Sequence, residues 1–571
     1  MGQEVKVTTE RVDDIPLLLE QLLRMGVQTI FDRVFPRHKN WHGLTPGFVL
    51  VIWLAYIVSQ ADHRLNRVEN WVENHLEMLR LSIKQNVTPL DFSDDKLANI
   101  LRYISDDESW ALFEKELNGH TLRVYNLEKE PIRLDSTTIS GYWKITEDGL
   151  FQLGHSKDHR PDLPQIKVNL TTLDPLGMPL VTHILSGNTA DDPLYIPAIK
   201  SVRESIPGKG LFYIGDCKMS AQPIRAFINK GEDYYLCPLS ALQFSAEQLD
   251  KTLEHLGQEN IVDVYRSDNS DGKKLIAKGF EKNHTMTSIV DEQEHTWQER
   301  RLFIRSLKLA EAEEKAFDAR INKAQEELQS INDRKRGKRL FTKIEEVQSK
   351  VESIFKHYRV IEFFDCQIQE ISRQRVKRRY QDRPAQIIEE KEFKVTATLS
   401  ESVVAKSRQR LGWRVYATNH NQETLSLEKA VLAYRNEYII ERGFSRLKGS
   451  PLSISPTYLQ KEDHAEGLIR LLSIALRILT LVEFLVRSSL TEQKKELAGL
   501  YPGNPKRTTA TPSAELILQA FKNINLSIVS LPGQNVIHLT SLSDLQQCIL
   551  NLLGFSTDIY QRLSHDFRNS V

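Results

Sequence analysis

The run Gly210-Leu-Phe-Tyr-Ile-Gly-Asp216 constrains this chain more than any other stretch. Its interior shows no polar alternation, so it reads as a strand buried on both faces, as in the sheets of α/β proteins. It ends on an acid. Near Arg123 the pattern changes from helical to alternating, and Ile132-Arg-Leu134-Asp135-Ser-Thr-Thr reads as a second strand ending on an acid. If these two strands are neighbours, both carboxylates project at one edge of the sheet.

The surrounding elements supply the rest of an α/β layer. Gly149-Leu-Phe-Gln-Leu-Gly154 and Ile166-Lys-Val-Asn-Leu-Thr-Thr-Leu read as further strands, and Leu180-Val-Thr-His-Ile-Leu extends or pairs with the latter. Asp191-Asp-Pro193 opens a helix through Ile196 and Val202. A helix over Pro223 to Ile228 and a strand Asp233-Tyr-Tyr-Leu-Cys-Pro follow. The expected order is β-β-β-α-β-α-β.

Ahead of this block, Asp13 to about Gly119 is helical, with some five or six helices and Trp53, Trp71 and Trp110 as core anchors. Thr45-Pro46 reads as an N-cap with proline at the first helical position, and Ser105-Asp-Asp-Glu108 as a capping box. The cluster His63, Arg64, Asn66 and Arg67 marks a helix junction that either holds phosphates or is simply polar.

Behind it comes an insertion with alternating segments between Ile261 and Arg305. Phe317, Ile321, Ala324, Leu328 and Ile331, then Leu340, Ile344, Val347, Val351 and Ile354, step by heptad spacing around Gly337 and predict an antiparallel coiled coil. It either mediates dimerisation or stiffens the insertion. Its tip carries Arg334, Lys335, Arg336, Lys338 and Arg339, and a second basic cluster runs from Arg373 to Arg379. Both suit phosphate contact, or pair with the acidic runs Glu311 to Glu314 and Glu389 to Glu392. The expected divisions are a helical region carrying that candidate phosphate-holding junction (1–122), the first part of an α/β domain (123–248), the insertion (249–424, hairpin 307–356), a helix and closing helices completing the α/β domain (425–490), and a mostly helical C-terminal region (491–571). In that last region a helix, a hairpin around Pro532-Gly533 and a final helix are expected.

Composition excludes several classes. At 571 residues the chain accommodates several domains, and 76 basic against 76 acidic residues give no global polyanion signal. The four scattered cysteines argue for a reducing compartment and against structural zinc. No signal peptide is indicated, and the apolar runs Phe48 to Val58 and Leu468 to Val486 read as buried helices, giving a cytoplasmic protein as the expectation.

A long helical pattern from near Ser426 to Gly449 brings the third acid. Tyr434, Glu441 and Lys448 recur every seven residues and so share one stripe. Glu437, one turn earlier, is the alternative acid. Three clustered carboxylates repel one another unless cations neutralise them, which suits hard divalent metals. Two such ions, Mg²⁺ or Mn²⁺, can activate an attacking oxygen and stabilise a leaving one in phosphoryl transfer.

The order of acids, on two strands and then a helix after a long insertion, resembles the RNase H-like catalytic domain of DDE transposases. The helix resembles the signature of the YREK branch, with Tyr434, Glu441 and Lys448 in register and Glu437 in place of the arginine. The blocks LDSTTISGY, GLFQLGHSKDHRPDLPQIKV and YIGDCKMSA are similar to an insertion-sequence group of these enzymes. The resemblance favours Glu441 over Glu437 and makes Asp135, Asp216 and Glu441 the catalytic, metal-binding set. It implies double-stranded DNA as partner, cut-and-paste chemistry, a homodimer in the active complex, and association with the nucleoid when DNA is bound. Tyr434, Lys448, Arg442, Arg446, His155, Lys157 and Arg160 become candidate DNA contacts on that basis.

Overall fold

The computed structural model describes residues 6–129, 131–255, 261–267, 272–333, 341, 343–377, 384, 386–531 and 534–564. It divides into two compact units, one comprising Met1–Cys237, Thr287–Trp297 and Ala433–Val571, the other Pro238–Met286 and Gln298–Leu432.

In the first unit the chain opens with strand β1 (Lys6–Arg11). The central strands are β2 (Ile132–Ser140), β3 (Gln165–Leu173), β4 (Met178–Ser186), β5 (Phe212–Gly215) and β6 (Tyr234–Pro238), in the spatial order β4-β3-β2-β5-β6. β2, β3 and β4 are antiparallel neighbours, whereas β5 lies parallel to β2 and β6 parallel to β5. All four residues of β5 are buried, and β3 is buried along its length. Helix Tyr195–Ser205 joins β4 to β5, and helix Gln222–Lys230 joins β5 to β6.

Two features of this sheet differ from the sequence expectation. The Gly149–Gly154 segment contributes only one bridge, Gln152 with Gln165, so the third antiparallel strand is β4 instead. β2 also runs past Asp135 to Ser140. Its parallel pairing with β5 stops at Leu134 and Gly215, but antiparallel pairing with β3 continues to Ser140 and Gln165.

The N-terminal part of this unit holds seven α-helices among the described residues between Ile15 and Val124, more than expected because Val68–Glu73 and Leu76–Ile83 separate at Asn74-His75. Asp106, not Ser105, caps the Asp107–Val124 helix, its carboxylate accepting from the Ser109 amide at 2.9 Å. Thr45 is the N-cap of helix Pro46–Gln60, with Pro46 as its first residue. Both apolar runs lie in largely buried helices, and among the described residues no single helix is long and apolar enough to cross a membrane.

Helix Glu462–Gln493 is the unit's central post. Its Arg477 is fully buried and donates to Glu114 (2.8 Å), to Asn118 Oδ1 (2.6 Å) and to the Leu180 carbonyl (3.1 Å). One guanidinium thus joins the long helix, the Asp107–Val124 helix and β4. Towards the end of the chain, helix Ala514–Gln519 precedes strands Asn525–Leu531 and Gln534–Leu539 and helix Asp544–Leu552; Pro532 and Gly533 lie outside the described residues. Strand Asn525–Leu531 pairs with β1, fastening the two ends of the chain together.

Strands Trp413–Thr418, Gln293–Ser306, Lys273–Val290 and Val262–Ser267 lie side by side in that order and belong to the second unit except for their Thr287–Trp297 portion. The helical hairpin forms from Leu307–Ile331 and Ile344–Tyr358, with Phe317, Ile321, Ala324, Leu328, Val347, Val351 and Ile354 in its core. Its basic tip, Arg334 to Arg339, lies outside the described residues. Strands Phe364–Lys377 and Gln386–Leu399 form a ribbon whose register sets Arg373 opposite Glu390 and Gln374 opposite Glu389. The side chains of Arg373, Arg375, Lys377, Arg378 and Arg379 also lie outside what is described.

A second charge on the long helix gives a pH test. Burial pushes the Glu466 carboxyl up to about 7, against the pull of Arg470 at 2.9 Å. An acid raised above its unfolded value stabilises at low pH, and that contribution disappears as pH climbs through about 7. Glu466→Gln is therefore expected to flatten the loss of stability between about pH 5 and about pH 8 by about 1–2 kcal/mol, measured by chemical denaturation across that range.

Candidate active site

Leu134 and Gly215 are the last paired residues of β2 and β5, so Asp135 and Asp216 are the next residues on adjacent parallel strands. Neighbouring strands run about 4.8 Å apart, which sets the two carboxylates side by side. Asp135 accepts from the Ser136 amide at 2.7 Å, and the Lys157 ammonium stands 3.7 Å from its Oδ1. Burial pushes the Asp135 carboxyl up to about 6. Lys157 and the Ser136 amide oppose the rise, and the charges of Asp216 and Asp191 add to it.

Asp216 accepts at Oδ1 from the Tyr195 hydroxyl (2.5 Å) and the Lys218 amide (2.8 Å). Burial drives the Tyr195 phenol far above its ordinary range, reinforced by Asp216, Asp135 and Asp191, so it stays a donor. Asp191 accepts from Lys167 (2.8 Å) and from Ser136 Oγ (3.1 Å). Burial disfavours its charge, but the Lys167 hydrogen bond and the charges of Lys157 and Lys167 outweigh that and hold the carboxyl low. Lys157 donates to the Ser136 carbonyl (2.6 Å) and hydroxyl (3.0 Å), completing a polar chain alongside Asp135.

The helix carrying the third acid is not continuous. It breaks between Leu427–Arg435 and Tyr438–Lys448. In an unbroken helix the Ala433 carbonyl would accept from the Glu437 amide. Here it accepts from Arg133 on β2 at 2.8 Å and from the Asn436 amide at 3.3 Å, and the Glu437 amide turns to Tyr434. The break takes Tyr434, half-buried on the preceding helix, off the Glu441–Lys448 stripe.

Glu437 stands at the break, half-buried. Its carboxyl is raised by burial first, then by the charges of Asp135, Glu441 and Asp216. Glu441, in the first turn of Tyr438–Lys448, is exposed. Both glutamates therefore belong to the acidic cluster, with Glu437 the more enclosed.

The candidate cations divide into two groups. Lys448 is bonded to Asp158 at 2.5 Å, beside Lys157 in the loop after the Gln152 bridge, and Arg160 in that loop pairs with Asp162 at 2.8 Å. Arg442 and Arg446 instead turn inward. Arg442 makes two bonds to Glu483 (2.5 and 2.7 Å), while the buried Arg446 bonds Glu483 (2.6 Å) and Glu515 (2.8 and 3.0 Å). Arg446 is thereby a packing residue, not a surface contact, because two carboxylates enclose it.

Sequence reasoning passed over Asp191, Tyr195 and Lys167. One signal was available: Lys167 is the one charged residue in a strand whose other side chains are apolar or neutral polar, and its ammonium there finds Asp191.

Whether these residues suit a divalent cation can be judged from the donors. Asp135, Asp216, Glu437 and Glu441 offer only hard carboxylate oxygens, and their mutual repulsion is what a bound cation relieves. The chemistry fits, although among the described residues no three His, Cys, Asp or Glu side chains converge closely enough to hold an ion as they stand.

Residues 128–478 match the family described as the transposase DDE domain. No curated protein matches the chain. A solved structure of a piggyBac transposase synaptic complex with hairpin DNA aligns over 99% of this chain and 85% of that one, at 7% identity and a TM-score of 0.33, too slight a likeness to bear on the site.

The glutamate-bearing helix also leans on the turn between β3 and β4. Gly177 there has φ +69°, and a Cβ on it would lie 2.6 Å from Ile439 Cγ2. Gly177→Ala is expected to cost about 1–3 kcal/mol, seen as a lowered denaturation midpoint. The double variant Gly177→Ala/Ile439→Ala should recover only the steric part.

Proposed function

We propose, for a chain that belongs to the family of DDE-domain transposases, that it is the transposase of an insertion sequence of the YREK branch, with an RNase H-like catalytic domain. Membership makes it a polynucleotidyl transferase. The finer reading is that it binds the terminal inverted repeats of its element, cleaves a phosphodiester at each end to expose a 3′-OH, and joins that hydroxyl to target DNA. The observation that carries it is the pairing of β2 with β5, which leaves Asp135 and Asp216 as adjacent strand-edge acids.

Asp135, Asp216 and Glu441 would hold the divalent ions, with Glu437 close enough to add a fourth carboxylate. When bound, Mg²⁺ or Mn²⁺ supplies activation of the attacking oxygen and charge stabilisation of the leaving one. The Tyr195 hydroxyl fixes Asp216, and Lys157 offsets part of the Asp135 charge until DNA and cations arrive. Lys448 and Arg160, both on or beside the loop that carries Lys157, are the cations best situated to meet backbone phosphates. Element ends come in pairs, so a homodimer is the working form proposed. A cytoplasmic protein that associates with the nucleoid when bound to DNA completes the reading.

The test uses the purified chain, labelled DNA carrying the inverted repeats that flank its gene, and Mg²⁺. Wild type is expected to release 3′-OH ends and to join precut ends to a plasmid target. Asp135→Ala, Asp216→Ala and Glu441→Ala should each lower both steps by on the order of 10³-fold or more. Loss in Glu437→Gln with activity retained in Glu441→Ala would move the essential acid to position 437. Cleavage without joining would reduce the enzyme to a nuclease.

A further inference from the structure

Downstream of β2 the chain builds a small rigid platform that the proposed chemistry does not use. Tyr142 and Tyr458 stack on each other, ring centroids 5.8 Å apart and planes 16° from parallel, yet they remain 52% and 69% exposed. Their backbones are held firmly. Gly141 bridges Thr457, and the Gln460 amide donates to the Tyr142 and Tyr458 carbonyls, each at 3.1 Å. Trp143 stacks on Phe151 at 4.2 Å and donates to the Leu459 carbonyl at 2.6 Å. Two segments more than 300 residues apart in sequence are locked together so as to present two aromatic faces to solvent.

Tyr458 also lines a cavity of about 860 Å³ between the His63–Asn66 turn, helix Asp94–Ile104 and the start of helix Glu462–Gln493. Lys461, Arg64 and Arg102 are cations of its lining and Asp94 and Asp95 acids of it, with Arg64 paired to Asp62 and Arg102 to Asp463. The buried Nε2 of His464, also on that wall, has no hydrogen-bond partner among the described residues. Arg160 stands at the other side of the platform, close enough for the Tyr142 phenol to act on its guanidinium.

We propose that the Tyr142–Tyr458 platform and the adjoining cavity dock an unpaired strand of DNA. Its bases stack on the tyrosines and enter the cavity, and its phosphates meet Arg160 and Lys461. The inference rests on the transposase reading only in taking DNA as the ligand. Exposed aromatic faces with flanking cations are what single strands recognise, because every base has a π-face that a duplex keeps inside its own stack. The mixed charge of the cavity wall points the same way. Asp94 and Asp95 would repel a phosphate but can accept from an N–H on a base edge, such as N3–H of thymine, and the unpartnered His464 nitrogen offers one further polar contact. The site thereby assigns a role to the His63–Asn66 turn that the catalytic scheme leaves unused.

The experiment measures binding by the full chain, in chelator so that nothing is cleaved, to three labelled probes of about 15 nucleotides: oligothymidine, the same backbone without bases, and duplex. Wild type is expected to bind oligothymidine about tenfold or more tighter than the abasic strand. Tyr142→Ala and Tyr458→Ala should erase that difference while leaving abasic and duplex binding unchanged, and the Phe variants at both positions should retain it. The proposal is overturned if wild type shows no base-dependent preference. It is equally overturned if the Ala variants keep the preference, or lose affinity for all three probes alike. Cleavage of repeat-end DNA by wild type in Mg²⁺ reads the transposase assignment separately, so failure of one conclusion leaves the other visible.

Discussion

A helix buried on every side has to satisfy each charge it carries, and helix Glu462–Gln493 does so by gripping everything around the acidic cluster. Glu483 is its most heavily used group: it is buried and accepts from Arg442, Arg446 and Arg487, and from the Ala514 amide at 3.1 Å. Three guanidiniums on one carboxylate over-neutralise it, and Glu515, paired with Arg446, offsets part of the excess. A buried charge stripped of its partner costs several kcal/mol, so this knot resists partial opening. It ties the glutamate-bearing helix to the long helix and to the C-terminal segment at once. At the middle of the same helix Arg477 joins the Asp107–Val124 helix to β4 through Glu114 and Leu180. The site's geometry thus depends on ionic contacts between residues hundreds of positions apart.

That dependence explains what could be read from the sequence and what could not. The buried strand Phe212–Gly215 and the acid Asp216 after it were legible because local pattern alone determines a doubly covered strand and its polar end, whereas Asp135 lies within β2, which runs on to Ser140. The coiled coil was legible for the same reason, its heptad positions being its core. The break at Asn436-Glu437 was not, because the group that captures the Ala433 carbonyl is Arg133, 300 residues earlier. The turn of Arg446 into the protein was likewise invisible, since a basic residue late in an amphipathic helix ordinarily faces solvent. Pairing of β1 with Asn525–Leu531 joins the extremes of the chain and leaves no mark on either segment's own periodicity.

Two acids at the ends of the same sheet show how structure separates scaffold from site. Asp233 sits just before β6, 1% exposed, and accepts from the Gly210 and Leu211 amides at 3.0 Å each and from Arg203 at 2.8 Å. Its lone pairs are answered by the fold, and it fixes the turn into β5. Asp135 receives one short amide bond, and its nearest cation stands at 3.7 Å, beyond hydrogen-bond reach, because Lys157 donates instead to Ser136. Burial and two neighbouring aspartates raise its carboxyl, so the fold withholds from Asp135 the neutralisation it gives Asp233. A hard cation is the kind of partner that would relieve such a carboxylate, and Asp216 and Asp191 are the neighbouring charges that raise it.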